Sequence, residues 1–184
     1  MNLGQMLLVV GAMAILSTLT LSINTTILRT YMISYDSEAT IDAISIGQAM
    51  IDEINTQAFD SLTNATSTVT DPSFCTPKSR LGADIDSEKT FASLVAAAPD
   101  TAPFKSTLKF NDVDDYQGYR RVVKSSHLGT FSVRDSVFYV QEGNHDTPSS
   151  TQTWFKKVEV TVTHSNLLSP VKVKGLIVFR RYLP

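Results

Sequence analysis

The first 28 residues contain no Asp, Glu, Lys, Arg or His, and the first charge is Arg29. The densest stretch, MLLVVGAMAILSTLTLSI, runs from Met6 to Ile23. As a helix, 28 residues reach about 42 Å at ~1.5 Å per residue. A bilayer core needs roughly 20 apolar residues. Such a segment must be covered by something apolar, and three readings compete. A secretory signal peptide has a basic start and a small-residue cleavage site after the apolar run. Here no Lys or Arg precedes the run, and Ala12-Met13-Ala14 falls in its middle. A single-pass anchor is the second reading. The third is a helix that visits the membrane and then packs into a protein bundle. Thr18, Thr20, Ser22, Asn24, Thr25 and Thr26 favour it, because polar groups suit packed helices better than lipid.

The helical pattern does not stop at the charge. No Pro occurs before Pro72, and Gly47 is the only Gly between Gly11 and Gly82. An apolar stripe runs Leu28, Met32, Tyr35, Ala39, Ala43, Ile46, Met50, Ile54, Ala58, in steps of three or four that hold one helix face. Residues 1–28 (hydrophobic) and 29–60 (amphipathic) therefore read as one helix of about 60 residues, roughly 90 Å long. The stripe is expected to pack on the chain's own globular part.

Residues 61–118 form a variable αβ and loop segment. The Ser/Thr-rich stretch 61–70 reads as irregular, and Pro72, Pro77, Pro99 and Pro103 punctuate the rest. Ser87 can cap a short helix over 87–98, with Phe91, Leu94 and Val95 on its apolar side.

Residues 119–184 read as an antiparallel sheet of about four strands. In 153–163, Val158, Val160 and Val162 share one face, with Lys157, Glu159, Thr161 and Thr163 on the other. The stretch 171–182 repeats the alternation, with Val171, Val173, Ile177 and Phe179 inward. Residues 131–141 give a third strand, bulged near Asp135, and 119–124 a shorter fourth. A one-sided sheet needs a cover, and the amphipathic helix supplies it. The fold class is α+β.

The chemistry-bearing residues are sparse. Cys75 is the only cysteine, which excludes an internal disulfide and a cysteine-cluster metal site. His127, His145 and His164 lie far apart, and the spacing argues against a histidine metal site. No nucleophile elbow, phosphate-cradling Gly-rich loop or dinucleotide fingerprint occurs, so no catalytic residue or cofactor is expected. NDVDDYQG, residues 111–118, gathers Asp112, Asp114 and Asp115; it lacks the calcium-loop spacing and reads as a solvated turn. Arg120–Arg121 and Arg180–Arg181 suit sheet-edge charges that block wrong pairing. With a formal net charge of −2, no nucleic-acid partner is expected. Asn24-Thr25-Thr26 and Asn64-Ala65-Thr66 match the N-glycosylation sequon, and Asn64 is the better-placed candidate, with O-linked sugar on its neighbours an alternative. Charge is uneven along the chain: residues 1–60 carry −5, residues 61–104 carry −2 and residues 105–184 carry +5. Opposite patches can set register between identical neighbours, or pair within one subunit.

A long N-terminal helix, a variable segment and a C-terminal antiparallel sheet together resemble the type IV pilin superfamily. The opening, MNLGQMLLVVGAMAIL, is the closest local match. The resemblance implies an assembly face formed by Met1, Gln5, Leu7, Leu8, Val9 and Val10, continued by Ile15, Leu16, Leu19 and Leu21. Family pilins carry Glu at mature position five, where it meets a neighbour's N-terminal amine. If Met1 is the mature start, Gln5 takes that place and offers a hydrogen bond without charge. If the family peptidase cuts after glycine, Gly4–Gln5 is the available bond, and the leader MNLG lacks the usual basic residue. The start at Met1 favours the first arrangement or an uncut chain. Ser22 stands where many pilins have a helix-breaking Pro, and the family's C-terminal disulfide loop cannot form. These departures leave open a bacterial branch outside the best-known classes or an archaeal-like filament. The resemblance implies an extracellular filament subunit, inserted in the inner membrane before assembly. Its partners would be identical subunits, a prepilin peptidase and the pilus assembly machinery. A pseudopilin of a type II-like secretion system and a single-pass membrane-anchored periplasmic binding domain or enzyme are the alternatives.

Overall fold

The computed structural model describes residues 2–64, 69–85, 89, 106 and 109–179. The chain divides into two compact units, Met1–Glu38 and Ala39–Pro184. One helix, α1, Leu3–Asn55, contributes to both. It is unbroken over 53 residues because no Pro interrupts its N–H ladder and Gly is sparse.

α1 stops five residues short of the expected end. The Thr56 and Gln57 N–H groups bond to the carbonyls of Glu53 and Ile54, both at 3.1 Å, which tightens the last turn. The Ala58 carbonyl then accepts from Val113 N–H at 2.9 Å, so that backbone belongs to a bridge with the segment before the sheet.

In the first unit, residues 2–35 are all exposed within the chain. Leu28, Met32 and Tyr35, expected to pack on the globular part, are therefore uncovered; burial along the stripe begins at Ala39.

In the second unit the buried face of α1 is Ala39, Ala43, Gly47, Met50, Ile51 and Ile54. It covers the inner face of a five-stranded antiparallel sheet. The strands are β1 (Arg120–Ser125), β2 (Gly129–Gln141), β3 (Asn144–Pro148), β4 (Phe155–Thr163) and β5 (Val171–Val178). Their order is β1-β2-β4-β5, with β3 paired to β2. The inward alternation read from the sequence holds: Phe131, Val133, Val137, Val158, Val160 and Val162 are buried. Val171, Val173 and Ile177 pack against the same core.

Helix and sheet touch at their smallest residues. A Cβ on Gly47 would lie 2.6 Å from Val173 Cγ2, and one on Gly175 would lie 3.0 Å from Ile51 Cγ2. The two glycines let a helix and a strand approach closer than any larger side chains would allow. An edge-to-face trio of Phe110, Tyr116 and Tyr119, with centroids 4.8 to 5.7 Å apart, fills one end of the core.

Four expectations change. A fifth strand, β3, exists where NHDTP shows no β-branched alternation; it is held as the return arm of a hairpin after Glu142-Gly143. The bulge lies between Val140 and Gln141, not near Asp135, which pairs in register with Val160 and points inward. Ser61–Asn64 forms a one-turn helix, α2, where irregular chain was expected. The turn at residues 111–118 is not solvated: Asp112, Asp114 and Asp115 are buried. Of the expected helix over 87–98 only Lys89 is among the described residues, and the pair Arg180–Arg181 lies outside them.

Candidate functional site

Leu7, Leu8, Val9 and Val10 are consecutive, and each step along a helix turns about 100°. Together with Ile15, Leu16, Leu19 and Leu21 they make α1 apolar on all sides rather than along one stripe. Exposure of these side chains runs from 46% at Val9 to 73% at Leu8. A helix apolar all round is normally buried in lipid or protein. This one is long and apolar enough to cross a membrane, and none of its most apolar window is buried within the chain. The Gln5 Oε1 accepts from the Asn2 N–H at 3.4 Å, a local contact at the helix start. Met1 lies outside the described residues.

The hydroxyls of this segment turn back on their own helix. Ser17 donates to the Met13 carbonyl at 2.8 Å, Thr18 to Ile15 at 2.9 Å and Thr20 to Leu16 at 2.8 Å. Thr25 and Thr26 both donate to Ser22, at 2.9 Å. A hydroxyl satisfied this way presents little polarity outward. These five hydroxyls therefore suit lipid and a helix bundle alike and do not discriminate between the two.

Two polar clusters lie inside the second unit, and the sequence pattern anticipated neither. In the first, Lys156 on β4 is fully buried. Its Nζ donates to Asp114 Oδ1 at 2.7 Å, to the Phe59 carbonyl at 2.7 Å and to Asp60 Oδ2 at 3.2 Å. The rings of Phe59 and Tyr139 flank the nitrogen at 4.6 and 5.4 Å. Asp60 also accepts from the N–H groups of Leu62 and Thr76. Asp114 Oδ2 is buried and has no hydrogen-bond partner among the described residues. Burial pushes the Asp114 carboxyl up to about 8 against the pull of Lys156. Asp112 caps the turn, accepting from the N–H groups of Asp114, Asp115 and Ser61. Apart from Asp114 Oδ2, these carboxylate oxygens are occupied by backbone, hydroxyl and lysine donors. Among the described residues, no group of three His, Cys, Asp or Glu side chains is placed to hold a metal ion.

The second cluster centres on Glu53 of α1. Its carboxylate accepts from Arg121 Nη2 at 2.7 and 2.8 Å, from Tyr116 at 3.0 Å and from Ser106 Oγ. Arg121 is therefore not a sheet-edge charge facing solvent but one half of a buried ion pair. Asp135 sits nearby with both carboxylate oxygens buried and without partners among the described residues. Burial holds its carboxyl well above the ordinary range, against the pull of Arg121.

The remaining candidates are structural. Cys75 is a buried free thiol, pushed up to about 12 by burial and by Asp60. His164 stacks on Phe131 at 4.2 Å, and His145 tilts over Phe155 at 4.7 Å. The Asn64 backbone ends α2; its side chain lies outside the described residues. Trp154, Phe155 and Phe179 line a cleft with Glu142 and Val178.

No family model, curated protein or solved structure matches the chain.

Proposed function

We propose that this chain is a structural subunit of a type IV pilus-like extracellular filament, polymerising through the N-terminal part of α1. One observation carries the reading: an uncharged stretch, apolar on every side and uncovered within the chain, runs without a break into a helix that packs on a sheet. Covering a large aliphatic side chain contributes about 1.5–3 kcal/mol relative to water. More than a dozen such residues precede Arg29, so their burial outweighs any surface ion pair at about 0–1 kcal/mol. Lipid is already apolar, and extraction from a bilayer offsets much of that gain. Assembly from a membrane thus requires an energy-consuming machine, while the finished bundle persists in water. A repeated contact between unlike faces of identical subunits, one that does not close, generates a helical polymer.

On this reading the subunit is not an enzyme. Adhesion, motility or surface attachment belongs to the polymer. Its partners are identical subunits, the inner membrane before assembly, and a peptidase and assembly machinery of the prepilin kind. Cryo-electron microscopy of material sheared from cells producing the chain tests this. Fibres of this chain with the apolar helices in their core are expected. A chain that stays in the bilayer as a monomer overturns the reading in favour of a single-pass anchor.

A further inference from the structure

We propose that Lys156 and Asp114 condense into an internal amide, with Asp60 as the proton carrier. The geometry supplies the parts. Lys156 Nζ lies 2.7 Å from Asp114 Oδ1, against the carboxyl group it would attack. Asp60 Oδ2 lies 3.2 Å from the same nitrogen, within reach of its protons. All three side chains are buried, and the rings of Phe59 and Tyr139 screen the nitrogen from water.

The two carboxyl groups are differently served. Asp60 collects donors from Leu62 N, Thr76 N and Thr76 Oγ1 at 2.8 to 3.2 Å, which suits a group that takes up a proton and stays charged afterwards. Asp114 takes the lysine at Oδ1 and has the Asp112 carboxyl beside it, which further raises it; no donor reaches its buried Oδ2 among the described residues. Burial favours its protonated form, which has a hydroxyl to lose.

The step balances without an added reagent. A proton passes from the Lys156 ammonium to Asp114, leaving an amine facing a carboxylic acid. Nζ attacks the Asp114 carboxyl carbon and a C–N bond forms. Asp60 takes a proton from Nζ and delivers it to the hydroxyl of Asp114. The C–O bond breaks and one water leaves; nothing is oxidised or reduced. Groups held in contact react at effective concentrations of about 10⁵–10⁸ M, which lowers the barrier to a condensation that is slow between free molecules. The product ties β4 to the turn preceding β1, and with it to the residues just beyond α1. A subunit so linked resists being pulled open. The inference rests on these residues alone and stands whether or not the chain forms filaments.

Intact-mass measurement of the purified full-length chain, followed by fragmentation of its peptides, tests this. The expected mass lies one water below that of the sequence, with a branched peptide joining Lys156 to Asp114. Lys156→Met restores the full mass. Asp60→Asn leaves the fold intact by circular dichroism but also shows the full mass. A wild-type chain at full mass overturns the proposal. So does a water loss that survives Lys156→Met, since that marks cyclisation of an aspartate instead. Linkage to Asp60, or continued condensation in Asp60→Asn, overturns the roles assigned to the two carboxyl groups.

Discussion

Glu53 and Arg121 stand 68 positions apart and meet as a buried pair, with Tyr116 and Ser106 completing the carboxylate's bonds. Removing one partner of a buried pair leaves an uncompensated charge, at a cost of about 3–5 kcal/mol. Arg121→Met is therefore expected to lower stability by about that amount, and adding Glu53→Gln should recover much of it; urea unfolding of wild type and the two variants measures both. Asp135 gives the opposite case. An acid whose folded pKa exceeds its unfolded value holds more proton in the folded chain, so stability falls as pH climbs past the ordinary carboxylate range. Burial raises Asp135 in this way. Asp135→Asn copies the shape of the protonated acid without the charge. Thermal melts are expected to coincide for wild type and variant at about pH 4, and to show the variant more stable at about pH 8. Asp135 and Lys156 each left a trace in the sequence: Asp135 shares its face with Val133 and Val137, and Lys156 with Val158 and Val160. The strict alternation places each of them inward, but the polar side chain at Asp135 reads as a bulge, and Lys156 is assigned to neither face.

α1 and β5 approach closely because at each contact one of the two residues is a glycine: Gly47 against Val173, and Gly175 against Ile51. The notch at Gly47 faces Val173, whose branched side chain has little freedom to turn aside in a strand. Gly47→Val is expected to cost about 1–3 kcal/mol through overpacking, read as a shift of the urea midpoint with little change in slope. The strands themselves were legible, because alternation is a local signal. β3 was not, since NHDTP carries no such pattern and is held by its pairing with β2. The end of α1 was legible only to within five residues: the apolar spacing continues to Ala58, but its backbone is engaged by the segment before the sheet.

Across the whole molecule, the charge asymmetry along the chain shrinks once the structure is known. Glu53 and Asp60, two of the six acids before residue 61, are paired internally with Arg121 and Lys156. Less charge remains for steering one copy onto another, and the apolar segment stands as the main driver of the proposed assembly. Deleting residues 1–23 is expected to yield a soluble monomer that keeps the sheet, by sedimentation and circular dichroism. Polymer formed by the truncated chain would refute the bundle mechanism.

The sequence by itself determined where the apolar stretch lies, that it continues as helix, and which strand faces turn inward. These properties arise from composition and spacing along a few successive turns or pleats. Only the tertiary structure decided which charges are buried and with whom. Lys156 meets Asp60 and Asp114 across 96 and 42 positions, and their contact exists only once helix, turn and sheet have closed on one core. Periodicity reports the face a residue occupies; it carries no information about the partner waiting there.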